Sequence, residues 1–373
     1  MSNAIVAIVD GAILLAALVL ALHSASPWLR ILLAALAANF LLLTLISGDL
    51  DLKAARDPLV LVTFAGLGWR YGSFAIARTA FLITAATVMA FALFEFISPG
   101  AYAAVFDIID YYSARGLVNA AAQQNTESSF FISGMRDGTR MVAPFLGPHR
   151  VSSVFLEPVS MGNFGAIAIA FALALNKARW RLALTVGAIG ATAIILADAR
   201  FGATAAALFV LVRLLPLGWM RAALPILPLL ALAVLLVLAN SDVGYGDDLP
   251  TRLAGSGRTL LQMSPAELFG FSRTELVTYD AGYAYAFGAF GLLFCIALWA
   301  AFIMLPAKTP EAQRYKIFLG VYIAALLCIS GTSLFALKSG ALAFFLAGAL
   351  GAPLRASAPA PQPRQPHAHG APA

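Results

Sequence analysis

The chain has 373 residues, 61% of them apolar and about 11% charged, with a formal net charge of +6. Soluble domains carry roughly 25% charged residues, and a soluble surface this poor in charge would expose apolar patches and aggregate. The composition therefore excludes an ordinary soluble enzyme and a disordered chain, and the basic excess forms no stripe or RNA-binding signature that would suit nucleic acid.

The apolar residues fall in runs. A spanning helix takes about 20 mostly apolar residues. In chain order the candidate spans are Ala4–Leu22, Arg30–Ile46, Ile76–Ile97, Pro158–Leu175, Trp180–Leu196, Phe201–Leu215, Arg221–Ala239, Ala281–Met304, Ile317–Ser330 and Leu334–Leu350. A shorter run, Leu59–Trp69, reads as an eleventh span, a re-entrant piece or an interfacial helix. The runs lack the period-2 alternation of barrel strands. The predicted fold is all-α: a polytopic membrane helix bundle of about 10-11 transmembrane helices, forming one domain over residues 1–351. Residues 352–373, rich in Pro and Ala, are expected to be disordered. The first run follows MSNA without a basic flank, so it is expected to be retained and not cleaved.

The basic residues report topology. Lys177, Arg179 and Arg181 share one short loop, Arg213 and Arg221 flank the next, and Lys308, Arg314 and Lys316 the one after. The positive-inside rule makes these loops cytoplasmic. Segments 98–157 and 240–280 then lie outside, in the periplasm of a bacterial inner membrane, and together hold 18 charged residues. In the first segment, Tyr102, Val105, Phe106, Ile109 and Tyr112 form one apolar stripe, fitting a helix at the interface or packed on the bundle. The second begins with a Gly/Asp/Pro-rich loop. Ser264, Pro265 and Glu267 then spell a capping box, and Gly270 ends the short helix, giving a partly helical periplasmic cap.

The outer arginines are Arg136, Arg140, Arg150, Arg200, Arg252, Arg258 and Arg273; the outer acids include Glu157, Asp198, Glu275 and Asp280. A guanidinium matches phosphate oxygens two at a time and stays charged everywhere. Glu157 and Asp280 each sit at the mouth of a span, where desolvation would raise a carboxyl toward a useful general-base value. Each residue also has a plainer reading. Arg150 and Glu157 could be a structural pair, Asp198 and Arg200 could anchor a hairpin, and Arg258 could be solvated. His149 reads as an interfacial residue before a base. Cys295 and Cys328 fall inside spans as small apolar residues, and the four histidines have no metal-ligand spacing.

Four pieces, HRVSSVFLEPVSMGNFG, LADARFGATAAALFVL, GSGRTLLQMSPAELFGFS and YDAGYAYAFGAFGLL, lie in order on the predicted outer face. With Arg150, Phe155, Pro158, Gly162, Arg200, Tyr283, Gly288 and Gly291 at their marked positions, the chain resembles the O-antigen ligase/polymerase superfamily, and within it the Wzy-type polysaccharide polymerases. The resemblance covers roughly Arg150 to Leu293. Many ligases of that family carry a His near the end of the long loop, where this chain has Asp280; Ser272 stands where a second Gly is common.

The resemblance implies a C-type glycosyltransferase-like bundle that joins undecaprenyl-diphosphate-linked oligosaccharide repeats, without metal or other cofactor. A flippase and a chain-length regulator are the implied partners. In that reaction Arg150, Arg200 and Arg258 would hold the diphosphate, with Arg200 also catalytic, and Asp280, then Glu157, would be the candidate base. The rival readings are a glycan ligase of the same fold and a non-enzymatic polysaccharide transporter. The charges at the outer mouth and the lack of an internal repeat weigh against the transporter.

Overall fold

The computed structural model describes residues 3–23, 26–113, 134–135, 140–241, 248–272 and 280–352. Arg136, Arg273, Glu275 and the chain beyond residue 352 lie outside the described residues. Every regular element among them is a helix, with one isolated bridge between Met135 and His149.

Among the described residues, four helices are long and apolar enough to cross a membrane: Pro27–Ser47, Phe74–Ile97, Lys177–Ala197 and Leu217–Ala239. A fifth forms if the bent pair Gly282–Phe290 and Leu292–Met304 counts as one span; its halves meet at 106°. The protein is membrane-embedded and helical. The other expected runs lie in helices that are shorter or carry charge. Arg200–Leu214 keeps Arg213 in its last turn, and Pro310–Leu326 opens with Glu311, Arg314 and Lys316.

In chain order the helices are α1 (Asn3–Leu22), α2 (Pro27–Ser47), α3 (Leu52–Tyr71), α4 (Phe74–Ile97), α5 (Pro99–Val105), α6 (Ile108–Ser113), α7 (Pro158–Ala174), α8 (Trp180–Ala197), α9 (Arg200–Leu214), α10 (Leu217–Ala223), α11 (Leu227–Ala239), α12 (Leu249–Gln262), α13 (Pro265–Leu268), α14 (Gly282–Phe290), α15 (Leu292–Met304), α16 (Pro310–Leu326) and α17 (Leu342–Gly351). A π-helical turn, Leu337–Ala341, leads into α17. α7 is apolar all round and almost wholly buried, packed by α8, α9 and α16. Phe81 of α4 lies against Phe164 and Phe171 of α7, at centroid distances of 5.9 and 5.3 Å. Between helices in lipid there is no hydrophobic gain, so small residues that let backbones approach decide the packing. A Cβ at Gly162 of α7 would come within 2.1 Å of Ala199. Only glycine allows the turn between α8 and α9 to press on α7 there.

The Leu59–Trp69 run is part of a full 20-residue helix, α3. Asp51 caps it, accepting from the N–H of Lys53 and Ala54 at 3.0 Å. α3 packs against α1, α2 and α17. It carries Asp57, whose carboxylate has no solvent exposure. Tyr285 of α14 donates to Asp57 Oδ2 at 2.5 Å, Arg56 donates to Oδ1 at 2.6 Å, and Lys53 donates to the Tyr285 hydroxyl.

The polar contacts gather at two rims. At one, Arg179 lies over the Phe74 ring at 3.5 Å and pairs with Glu311, which also accepts from the Asn176 N–H. Lys316 donates to the carbonyls of Ile303 and Leu305, both at 2.8 Å. This rim carries the loops predicted to be cytoplasmic. At the other rim lie the Lys53–Tyr285 cluster and residues 140–157, 198–200, 248–272, 280 and 330–338.

The stripe of the first outer segment is broken at Phe106–Asp107 into α5 and α6, with Tyr102, Ile108 and Tyr112 buried. These short helices are packed on α4, with Phe94 and Phe106 around Tyr102 at 5.9 and 4.9 Å.

In the second segment the expected capping box is present: Ser264 accepts from Glu267 N–H, and Glu267 from Ser264 N–H. Gly270 follows at φ +74°. The start of the segment, residues 242–247, lies outside the described residues, and α12 follows it as a helix. Asp248 caps it, accepting from Thr251 N–H at 2.8 Å, and Pro250 sits in its first turn.

Candidate active site

The site is assembled from four pieces of chain. The first is residues 149–157. Glu95, near the end of α4, is fully buried and accepts from the N–H of Ser152 at 2.9 Å and of Ser153 at 2.6 Å. His149 Nε2 lies 3.2 Å from the same carboxylate. Ser153 also donates from its hydroxyl to Val88 O at 2.6 Å, and Tyr102 donates to Ser153 O at 2.6 Å. These anchors hold two non-glycine residues, Ser153 at φ 54° and Leu156 at φ 58°, in the left-handed region. Such backbone costs about 1–3 kcal/mol per residue and persists only where its surroundings over-determine it. The result brings Arg150 and Glu157 to one face.

The second piece is the turn between α8 and α9. Asp198 has no exposure and a φ of 46°. Its Oδ1 accepts from the N–H of Met141 and Val142 at 3.0 and 2.9 Å. Arg140, also buried, donates to Ile195 O at 3.1 Å, and Arg150 Nε donates to Ala197 O at 3.0 Å. Asp198 and Arg140 thus stitch the 140–151 strand of loop to the hairpin. Arg200 follows as the first residue of α9, at the positive end of its macrodipole, where an anion is favoured.

The third piece, α12, supplies Arg252, whose Nη1 lies 3.7 Å from Asp280 Oδ1. The fourth is the turn at 330–338. Ser330 donates to Ser333 at 2.7 Å, and Lys338, on the π turn, donates to Glu157 Oε2 at 2.8 Å. Single π turns recur where function demands an odd side-chain direction.

Together these pieces surround a cavity of about 340 Å³. Its charged wall is Arg150, Arg200, Arg252, Glu157 and Asp280; its polar floor is Ser330, Thr332 and Ser333; Phe201, Leu249, Leu326 and Ile329 are apolar. Of the residues singled out in the sequence, Arg150, Arg200, Glu157 and Asp280 converge here. Arg258 does not line the cavity. It donates to Ala239 O at 3.3 Å and Ser241 O at 3.0 Å, satisfying carbonyls at the end of α11. Replacing it with alanine is expected to cost about 1–2 kcal/mol, read as a lower unfolding temperature in detergent.

No family model, curated protein or solved structure matches the chain.

Glu157 is not held as a base. Burial pushes its carboxyl up, but Lys338, Ser160 and Arg150 outweigh that and hold it below the ordinary range. The expectation of a raised value is corrected: a cation stands where the sequence showed an apolar run. Asp280 is largely exposed, with 72% of its side chain open, so water reaches it readily. Arg150 donates to Ala197 O and Glu157 accepts from Lys338, and Arg150 acts on Glu157 through its charge. His149 sits beside Glu95 and away from the cavity lining.

Arg252, one of the outer arginines, lines the cavity, although the resemblance assigns it no role, and Lys338 reaches Glu157 from beside the cavity. Lys338 was hidden in the run Leu334–Leu350, although a charge inside an apolar run is itself a pointer to function. Among the described residues, no group of three His, Cys, Asp or Glu could hold a metal ion.

Proposed function

We propose that this protein is a polysaccharide polymerase that joins undecaprenyl-diphosphate-linked oligosaccharide repeats at the periplasmic face of a bacterial inner membrane. The observation that carries the reading is the cavity that gathers Arg150, Arg200 and Arg252 with two carboxylates at one rim of an apolar bundle. Three guanidinium groups suit a diphosphate, and cations held in place stabilise the charge that develops on it as it leaves. The growing chain leaves its lipid diphosphate, a sugar hydroxyl of the incoming repeat attacks the freed anomeric carbon, and a carboxylate takes the hydroxyl proton. Asp280 and Glu157 are the carboxylates in reach.

A second cavity, of about 410 Å³, offers room for an isoprenoid chain. Its walls include Trp28, Leu61, Phe287, Trp299 and Phe344, and its Leu327, Leu334 and Phe335 bracket the serine turn of the charged cavity. In this reading the fold is C-type glycosyltransferase-like, and α12 with α13 forms the periplasmic cap. α3 crosses as an eleventh span, because its start meets Tyr285 at the proposed outer rim and its end, Gly72, abuts Ala349 of α17. The N-terminus is then periplasmic. A flippase and a chain-length regulator are the proposed partners.

The test is reconstitution with lipid-linked repeats alone. A ladder of products is expected. One product that needs a second kind of acceptor would make the protein a ligase, and no transfer at all would overturn the enzymatic reading.

A further inference from the structure

Lys338 and Glu157 form an unusual pair for an apolar bundle. Their side chains are 36% and 32% exposed, so both meet water, Glu157 in the lining of the charged cavity and Lys338 beside it. A lysine there is a compact cation on a flexible stem, able to turn to a better acceptor. Lys338 also reaches toward Phe155 O at 3.5 Å, a contact that would not oppose such a turn. Charged and polar groups face Glu157 from three elements. Lys338 comes from the π turn, Ser160 from α7 at 2.7 Å, and Arg150 from the loop; Arg200, Arg252 and Asp280 share the cavity.

Resting on the function proposed above, we infer that an arriving lipid diphosphate draws Lys338 away from Glu157, and that the released Glu157 accepts the proton of the attacking sugar hydroxyl. The cavity then has four cations for the diphosphate in place of three. The balance is simple. The O–H bond of the acceptor breaks and its proton goes to Glu157. A new C–O bond forms at the anomeric carbon of the donor, and the old C–O bond to phosphate breaks with its electron pair on the diphosphate. The four cations hold that charge. Asp280, beside Arg252, steadies that guanidinium.

The exchange couples two events. Before the anion arrives, Glu157 is an ion-pair partner and a poor base. Once Lys338 has turned away, the carboxylate loses its nearest cation and gains a nearby anion, and both changes favour its protonated form. Without substrate the base is masked, which keeps it from activating water.

The experiment is calorimetric binding of farnesyl diphosphate to the full chain in lipid nanodiscs. It is run in two buffers of different ionisation enthalpy, at about pH 5.5, just above the ordinary carboxyl range. The ligand's terminal phosphate, with a second pKa of about 6, exchanges protons in every variant, so the reading is the difference between proteins. Wild type is expected to take up more protons on binding than Glu157→Gln, by a substantial fraction of one. Glu157→Gln is expected to bind at least as tightly, because Lys338 is already released. Lys338→Gln is expected to bind about tenfold more weakly, the loss of one charge contact, and Lys338→Arg to restore affinity. The inference is overturned if wild type does not bind, if Glu157→Gln and wild type exchange the same number of protons, or if Glu157→Gln weakens binding as much as Lys338→Gln does. Reconstituted transfer is scored separately. Linked proton uptake without any transfer would keep the exchange and remove the polymerase reading; transfer without linked uptake would do the reverse.

Discussion

Arg200→Ala is expected to lower polymer formation by about 10²–10³-fold, the range seen when one preorganised charge-stabilising donor is removed, while the protein stays inserted and folded. Three features single Arg200 out. It opens α9, where the backbone N–H groups already favour an anion. It lines the charged cavity. Its turn is pressed against α7 at Gly162, so the guanidinium has a rigid base. Arg200→Lys is expected to recover only part of the loss, since a point charge cannot contact two oxygens at once. The assay is product length and yield from lipid-linked repeats, normalised to folded protein by size-exclusion chromatography. Unchanged products from a stably folded Arg200→Ala protein would remove the main support for the diphosphate site.

The second large effect is expected at a residue that touches no substrate. Glu95→Ala removes the acceptor of two buried N–H groups, Ser152 and Ser153, and leaves them without it. Each orphaned group costs about 1–3 kcal/mol, so the total is about 2–6 kcal/mol. The left-handed backbone at Ser153 and Leu156 then loses its main clamp, and Arg150 and Glu157 lose their shared orientation. Glu95→Gln keeps an acceptor oxygen and is expected to cost about 1–2 kcal/mol. Thermal unfolding in detergent measures both, with the order wild type, Glu95→Gln, Glu95→Ala. A Glu95→Ala protein that unfolds at the wild-type temperature would show that the clamp lies elsewhere.

The helical character and the two charged rims could be read from residues because both follow from composition and periodicity. The capping box at Ser264 could be read because it is a local device, complete within four residues. α12 could not. Gly255 and Gly257 weaken its helical signal, yet a Cβ at Gly257 would come within 2.2 Å of Leu235 O, so the helix owes its place to contact with α11. Arg258 read as a phosphate ligand because its type fits. Its task is set by the end of α11, a neighbour that local sequence does not name. Lys338 read as part of a span because the π turn that aims it at Glu157 leaves no mark on the hydrophobic pattern.

Asp57 ties the order of synthesis to the finished bundle. Its hydroxyl partner Tyr285 lies 228 residues further along the chain. While the chain is still being made, Asp57 can be neutralised only by what already exists, and Lys53 and Arg56 on the same helix are at hand. The carboxylate brings its own counter-ions to cover the interval. When α14 arrives, Tyr285 closes the cluster and ties α14 to α3. One hydrogen bond thus joins the first third of the protein to the last.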